Sequence, residues 1–127
     1  MNRLLLDSQV IIWWDAAVSQ LGENAKRTIG NASAVYVSAA SEWELAIKGA
    51  LGKVNLRRSV MEATLDAGFE PIGITFQHAQ AVRSLKPIHN DPFDRLVVAT
   101  ASTEGLTLVS SDVVLAKYPI DFLNACR

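Results

Sequence analysis

The sequence predicts an α/β domain in which a five-stranded parallel sheet carries helices on both faces. Three observations lead there. Short apolar, β-branched or aromatic runs alternate with longer segments of helical period from end to end. The 127 residues are one domain's worth of chain, with no internal repeat, low-complexity tract or linker. Half of the residues are apolar and a fifth are charged, enough to build one hydrophobic core.

The elements follow in order. Arg3–Leu6 reads as a buried strand, and 8–18 and 23–32 as helices. Ala34–Ser38 (AVYVS) is β-branched and aromatic, as strands are. The stretch 41–51 is helical, with Leu45, Ile47 and Leu51 on its apolar face and Gly52 as its stop. A helix over 60–67 ends at Gly68, and 71–74 is the third strand. Helix 77–85 is closed by Pro87, and helix Pro92–Glu104 ends at Gly105. Strand 106–110, a short helix over 113–118 and strand 120–123 complete the domain.

Composition excludes several classes. Cys126, the only cysteine, can form neither an internal disulfide nor a cysteine-based zinc site, so a reducing cytoplasm is expected. Asp7 and Asp15 interrupt the apolar N-terminal stretch, which therefore reads as an intact start rather than a signal peptide, and no run approaches the ~18 apolar residues of a membrane span. A net charge of −1 advertises no broad nucleic-acid surface, so if the chain acts on nucleic acid the attraction must come from local lysines and arginines, a bound cation or a partner subunit.

The chemistry lies in the acids. In a parallel α/β domain, strand C-termini and the N-termini of the following helices share one edge, where ligands bind. Asp7 follows the first strand, Glu44 lies in the first turn of the helix after the second, Asp94 opens the helix before the fourth, and Asp112 follows the fourth. Each has a structural alternative. Ser41 and Glu44 match a capping box, and Asp91-Pro92 matches an N-cap followed by proline with Asp94 in the first turn. Four coincidences on one edge favour a site, and Asp7 is the sharpest, because it interrupts the apolar LLL-D-S-Q-VII. A buried carboxylate costs several kcal/mol unless paired or metal-bound. Clustered carboxylates repel one another until a cation arrives, and Mg²⁺ or Mn²⁺ suits an all-oxygen ligand set. Such a site fits phosphodiester hydrolysis. His78 is expected on a helix surface or in the core, and His89 in a loop near the edge.

Four segments in this order, LLLDSQ, VSAASEWELAIK, HNDPFDRLVVATA and LVSSD, resemble the PIN-domain ribonucleases, specifically the VapC toxins of type II toxin–antitoxin pairs, over essentially all of residues 1–127. The resemblance implies a single PIN domain whose catalytic acids are Asp7, Glu44, Asp94 and Asp112. Of these, Asp7, Asp94 and Asp112 bind the metal, and Ser8, Asp91 and Ser110 support them. It further implies Mg²⁺- or Mn²⁺-dependent endonucleolytic cleavage of RNA leaving a 5′-phosphate and a 3′-hydroxyl, a homodimer, and a VapB-type antitoxin that obstructs the site.

Lys48 and Arg95, nearest the motifs, are the candidate RNA-phosphate contacts. Lys53, Arg57, Arg58 and Lys86 read as solvated surface. Trp13, Trp14 and Trp43 cannot all be in the core, and the one left outside suits a partner surface. Two rivals stand beside the nuclease. One is an inactive α/β interaction module whose acids only cap helices. The other, a phosphoacceptor signalling domain, lacks its acid pair after the first strand, its aspartate after the third and its lysine after the fifth.

Overall fold

The computed structural model describes residues 2–127. β1 (Arg3–Leu6) is the centre of a parallel sheet of order β3-β2-β1-β4-β5, with β2 (Ala34–Ser38), β3 (Glu70–Ile72), β4 (Thr107–Ser110) and β5 (Phe122–Asn124). The period of two along β1 separates two cores. Leu4 and Leu6 pack with Val10 and Ile11 of α1 (Ser8–Ala16), Ala25 and Ile29 of α2 (Glu23–Asn31), and Val60 and Ala63 of α4 (Val60–Asp66). Leu5 packs instead with Val97, Val98 and Ala101 of α6 (Pro92–Glu104). α3 (Ala39–Ala50) serves both, placing Leu45 in the first core and Ala40 in the second. Burying each of these leucines contributes about 2 kcal/mol relative to exposure. A charged residue directly after them is therefore conspicuous.

Register sets the edge. Leu6 is level with Val37 of β2 and Val109 of β4, so the next residues, Asp7, Ser38 and Ser110, stand in a row across the C-terminal edge. All three are buried.

Several boundaries depart from expectation. α1 stops at Ala16 because Ala17 adopts a left-handed conformation (φ 54°) and returns its N–H to Trp13 and Trp14. α3 begins at Ala39 rather than residue 41. The Ser38 hydroxyl takes the cap by accepting from the Ala40 N–H at 3.0 Å, so Ser41 lies inside the helix and the expected Ser41–Glu44 capping box does not form. β3 covers Glu70–Ile72 rather than 71–74, since Thr75 is already the N-cap of α5 (Phe76–Ala81). A 3₁₀ turn, Val82–Ser84, replaces the end of the expected longer helix, and another, Val113–Lys117, precedes β5. β5 itself starts two residues later than expected and runs to Asn124.

Gly22 shows how closely the chain's end is fitted. Its N–H donates to the Ala125 carbonyl at 2.9 Å, the Asn24 N–H donates to the Arg127 carbonyl at 2.7 Å, and a Cβ at position 22 would lie 2.2 Å from the Arg127 backbone. Gly22→Ala is expected to destabilise the domain by about 1–3 kcal/mol, the usual penalty for overpacking. Thermal unfolding checks this, and an unchanged melting temperature would contradict the packing described.

Candidate active site

Asp7, Asp91 and Asp112 each cap a helical turn and Asp94 lies in the first turn of α6, whereas Glu44 lies one turn inside α3. Asp7, only 8% exposed, caps α1 by accepting from the Val10 N–H at 2.9 Å, and its own N–H donates to Val109 of β4. Burial pushes its carboxyl up to about 6. The nearby charge of Glu44 adds to this, while hydrogen bonds from Ser110, Val10 and Gln9 hold it down. Ser8, at the first position of α1, donates through Oγ to Glu44 Oε1 at 2.7 Å. Lys48, one turn along α3, donates to Glu44 Oε2 at 2.9 Å. Glu44 is buried with both oxygens engaged.

Asp91 is the N-cap of α6, accepting from the N–H groups of Phe93 (2.8 Å) and Asp94 (3.1 Å). Asp94 follows in the first turn. Burial pushes its carboxyl up to about 6, and the charges of Asp91, Glu44 and Asp7 act in the same direction against the opposing influence of His89. Asp94 thus feels the charge of the acid that caps its own helix and of acids from two other segments. Asp112 caps the 3₁₀ turn, accepting from the Val114 N–H at 3.1 Å, and its own N–H donates to Ser110 Oγ at 3.0 Å. Ser110 therefore accepts from the Asp112 backbone and also lowers the pKa of the Asp7 carboxyl. The imidazole of His89 lies between two of the acids, with Nε2 2.9 Å from Asp112 Oδ2 and 3.5 Å from Asp94 Oδ2.

Comparison with known proteins agrees with this architecture. The PIN domain family model matches residues 4–121. This chain is a PIN domain. Ribonuclease VapC22 of Mycobacterium tuberculosis is 35% identical over 115 residues, 88% of each chain. The VapBC2 structure from Rickettsia felis, bound to a promoter DNA fragment, matches with a TM-score of 0.70 at 16% identity over 96% of this chain and 98% of that one. A DNA-bound VapBC from Salmonella typhimurium gives 0.67 at 20% identity, over 99% of this chain and 100% of that one.

The donor chemistry of this PIN domain fits a hard divalent cation. Asp7, Asp94 and Asp112 offer carboxylate oxygens, and two of the three resist ionisation where they stand. Lys48 is already paired with Glu44, and that partner together with Asp91 and Asp94 raises its pKa. One turn before Glu44, the Ser41 hydroxyl is buried without a hydrogen-bond partner.

The secondary candidates divide. Arg95 is spent elsewhere: its guanidinium donates to the carbonyls of Val82 (3.3 Å), Lys86 (3.1 Å) and His89 (3.3 Å) and to Tyr118 Oη (3.4 Å). It pins the loop before α6, so a phosphate at Arg95 would have to compete with these bonds. Arg57 and Arg58 are not simply solvated either. Both bind Asp15, and Arg58 also reaches Asp66 at 3.0 Å. Trp13 and Trp14 pack against the first core, whereas Trp43 is 56% exposed and meets Phe93 edge-on with centroids 4.9 Å apart. His78 is a core residue, accepting from the Thr75 N–H and joined to Glu104 at 2.7 Å. No helix among the described residues is long and apolar enough to cross a membrane.

Sequence reasoning overlooked His89 as part of the acidic group. The available signal was its spacing in H-N-D-P, where the ring can accept the N–H of the residue two positions on. That bond forms, with Asp91 N–H donating to Nδ1 at 3.0 Å.

Proposed function

We propose that this PIN domain is an endoribonuclease that hydrolyses RNA phosphodiester bonds with Mg²⁺ or Mn²⁺. It acts in the cytoplasm as the toxin of a toxin–antitoxin pair, held in check by a VapB-type antitoxin and working as a homodimer. The observation that carries this reading is the gathering of Asp7, Glu44, Asp94 and Asp112 at one sheet edge, with two of them held near pKa 6 by burial and mutual repulsion. The 35% identity to a VapC ribonuclease supports the RNA substrate, and the VapBC complexes among its structural neighbours support the antitoxin.

In this assignment Asp7, Asp94 and Asp112 hold the ion. Bound there, it would lower the pKa of a water and neutralise phosphate charge. Ser110 anchors the Asp112 backbone and favours the ionised form of Asp7, and Asp91 sets the first turn that carries Asp94. Glu44 acts beside the ion, oriented by Ser8 and Lys48. Lys48, with its side chain 46% exposed, remains the phosphate contact at the rim. A second reading rests on the capping bonds: Asp7, Asp91 and Asp112 each satisfy helix N-terminal N–H groups, which an inactive interaction module would also need.

Purified protein incubated with total RNA decides between them. Cleavage is expected with Mg²⁺ or Mn²⁺ and not with EDTA, and ligation-based end mapping should find 5′-phosphates. Intact RNA under all metal conditions would leave the interaction module standing.

A further inference from the structure

His89, Asp94 and Asp112 offer ligand atoms that all lie within 4.8 Å of one another, and at first sight they form a mixed nitrogen–oxygen metal site. The hydrogen bonds argue otherwise. The Asp91 N–H donates to Nδ1 of His89, so Nδ1 must present its lone pair and cannot carry a proton. The proton of the ring is then on Nε2, the atom that faces Asp112 and Asp94. Ligation through Nε2 would require that proton to leave or to move to Nδ1, where it would meet the Asp91 N–H head-on. Building on the nuclease reading, we infer that His89 is a positioning residue: its Nε2–H holds the Asp112 carboxylate beside Asp94, and the ring itself does not bind metal.

The surroundings are arranged for this task. Tyr118 Oη accepts from the His89 N–H at 3.0 Å, Arg95 donates to the His89 carbonyl, and the same guanidinium reaches Tyr118. The backbone on both sides of the ring is thereby fixed to α6 and to the end of the 3₁₀ turn. Nδ1 is tied to Asp91, the cap of the helix that bears Asp94, while Nε2 reaches across to Asp112, so the imidazole cross-ties the two segments that carry those acids. Asp112 needs the tie, since its side chain is 38% exposed and Asp94's is 24%. A carboxylate oxygen that accepts one hydrogen bond keeps another lone pair for a cation, and metal-ligating carboxylates are commonly held in this way by neighbours that do not touch the metal.

The test uses the full chain without RNA. Long-range ¹H–¹⁵N spectra of the histidine ring are expected to show a protonated Nε2 and an unprotonated Nδ1, both before and after addition of Mg²⁺. Loss of the Nε2 proton on adding Mg²⁺ would make His89 a ligand and overturn the inference. Mn²⁺ binding, read from the paramagnetic resonance of the free ion, is expected to weaken about 10–100-fold in His89→Leu. His89→Gln, which restores an N–H near the Nε2 position, is expected to recover most of it. His89→Leu binding Mn²⁺ like the wild type would also overturn the inference. If the wild type neither binds Mn²⁺ nor cleaves RNA, the nuclease reading falls and this inference with it. An active wild type beside an unimpaired His89→Leu sinks this inference alone.

Discussion

Asp7→Asn is expected to lower RNA cleavage by about 10³-fold or more, because an ion's Lewis acidity is worth several kcal/mol in the transition state. The same substitution is expected to make the metal-free protein more stable. The two effects have one cause. Asp7 is 8% exposed, and its carboxyl moves from 3.8 to about 6 on folding, chiefly through desolvation. Holding it ionised at neutral pH therefore costs the folded state up to roughly 3 kcal/mol. Asparagine removes that charge and keeps an oxygen to accept from the Val10 N–H, so the cap of α1 survives. A net gain of about 1–2 kcal/mol would raise the melting temperature by roughly 3–8 °C for a domain of this size. Asp7→Ala removes charge and cap together, and the lost cap, worth about 1 kcal/mol, offsets much of the gain. Asp94→Asn should follow Asp7→Asn in both measurements, with a smaller gain in stability because Asp94 is less buried. Melting curves in EDTA and cleavage in Mn²⁺ test the pair. An Asp7→Asn protein less stable than the wild type, or one that still cleaves, would show that the acid is there for the helix alone.

The parts of this design that showed in the sequence are those set by strong local rules. Three consecutive leucines followed by Asp7 mark a strand buried on both faces and the point where it ends, and Asp91-Pro92 marks a helix start. Because parallel strands put all such junctions on one edge, the placement of the acids followed from the element order. What stayed hidden depends on choices between equivalent residues or on distant partners. Ser38 and Ser41 are both competent caps, and Ser38 takes the role because β2 ends beside Asp7, a fact of sheet register. Pro71 made the third strand hard to bound, since a proline is tolerated in a strand only at an edge such as β3 occupies. The pairing of His89 with Asp112 spans 23 residues, and Arg95 turns away from solvent toward carbonyls of the preceding loop. Neither has a signature in spacing.

The cluster also fixes how stability should respond to pH. Asp7 and Asp94 titrate near 6 in the folded domain and near 3.8 once unfolded. Between those values the native protein holds protons that the unfolded chain has released, so these two groups favour folding at low pH. Their contribution is lost as pH rises from about 4 through about 6. Asp15 behaves in the opposite sense, since its hydrogen bond from Arg58 lowers its pKa. Its contribution is present above the unfolded value and lost as pH falls below about 4, outside the window considered. In EDTA, denaturant titrations are therefore expected to show the wild type losing stability relative to an Asp7→Asn/Asp94→Asn double variant as pH rises from about 4 through about 6, and no further loss up to about pH 7.5. Saturating Mg²⁺ or Mn²⁺ should reverse the loss, because the ion binds the carboxylates only in their ionised form. At a hundredfold excess over Kd, binding adds about 2.7 kcal/mol. That increment should be small near pH 5, where the two acids retain protons, and large near pH 7.5, and it should vanish in the double variant. A metal increment independent of pH, or one undiminished without both acids, would place the ion somewhere other than this edge. The arrangement requires the apo domain to be under most electrostatic strain at the neutral pH where, with its metal bound, it is proposed to cut RNA.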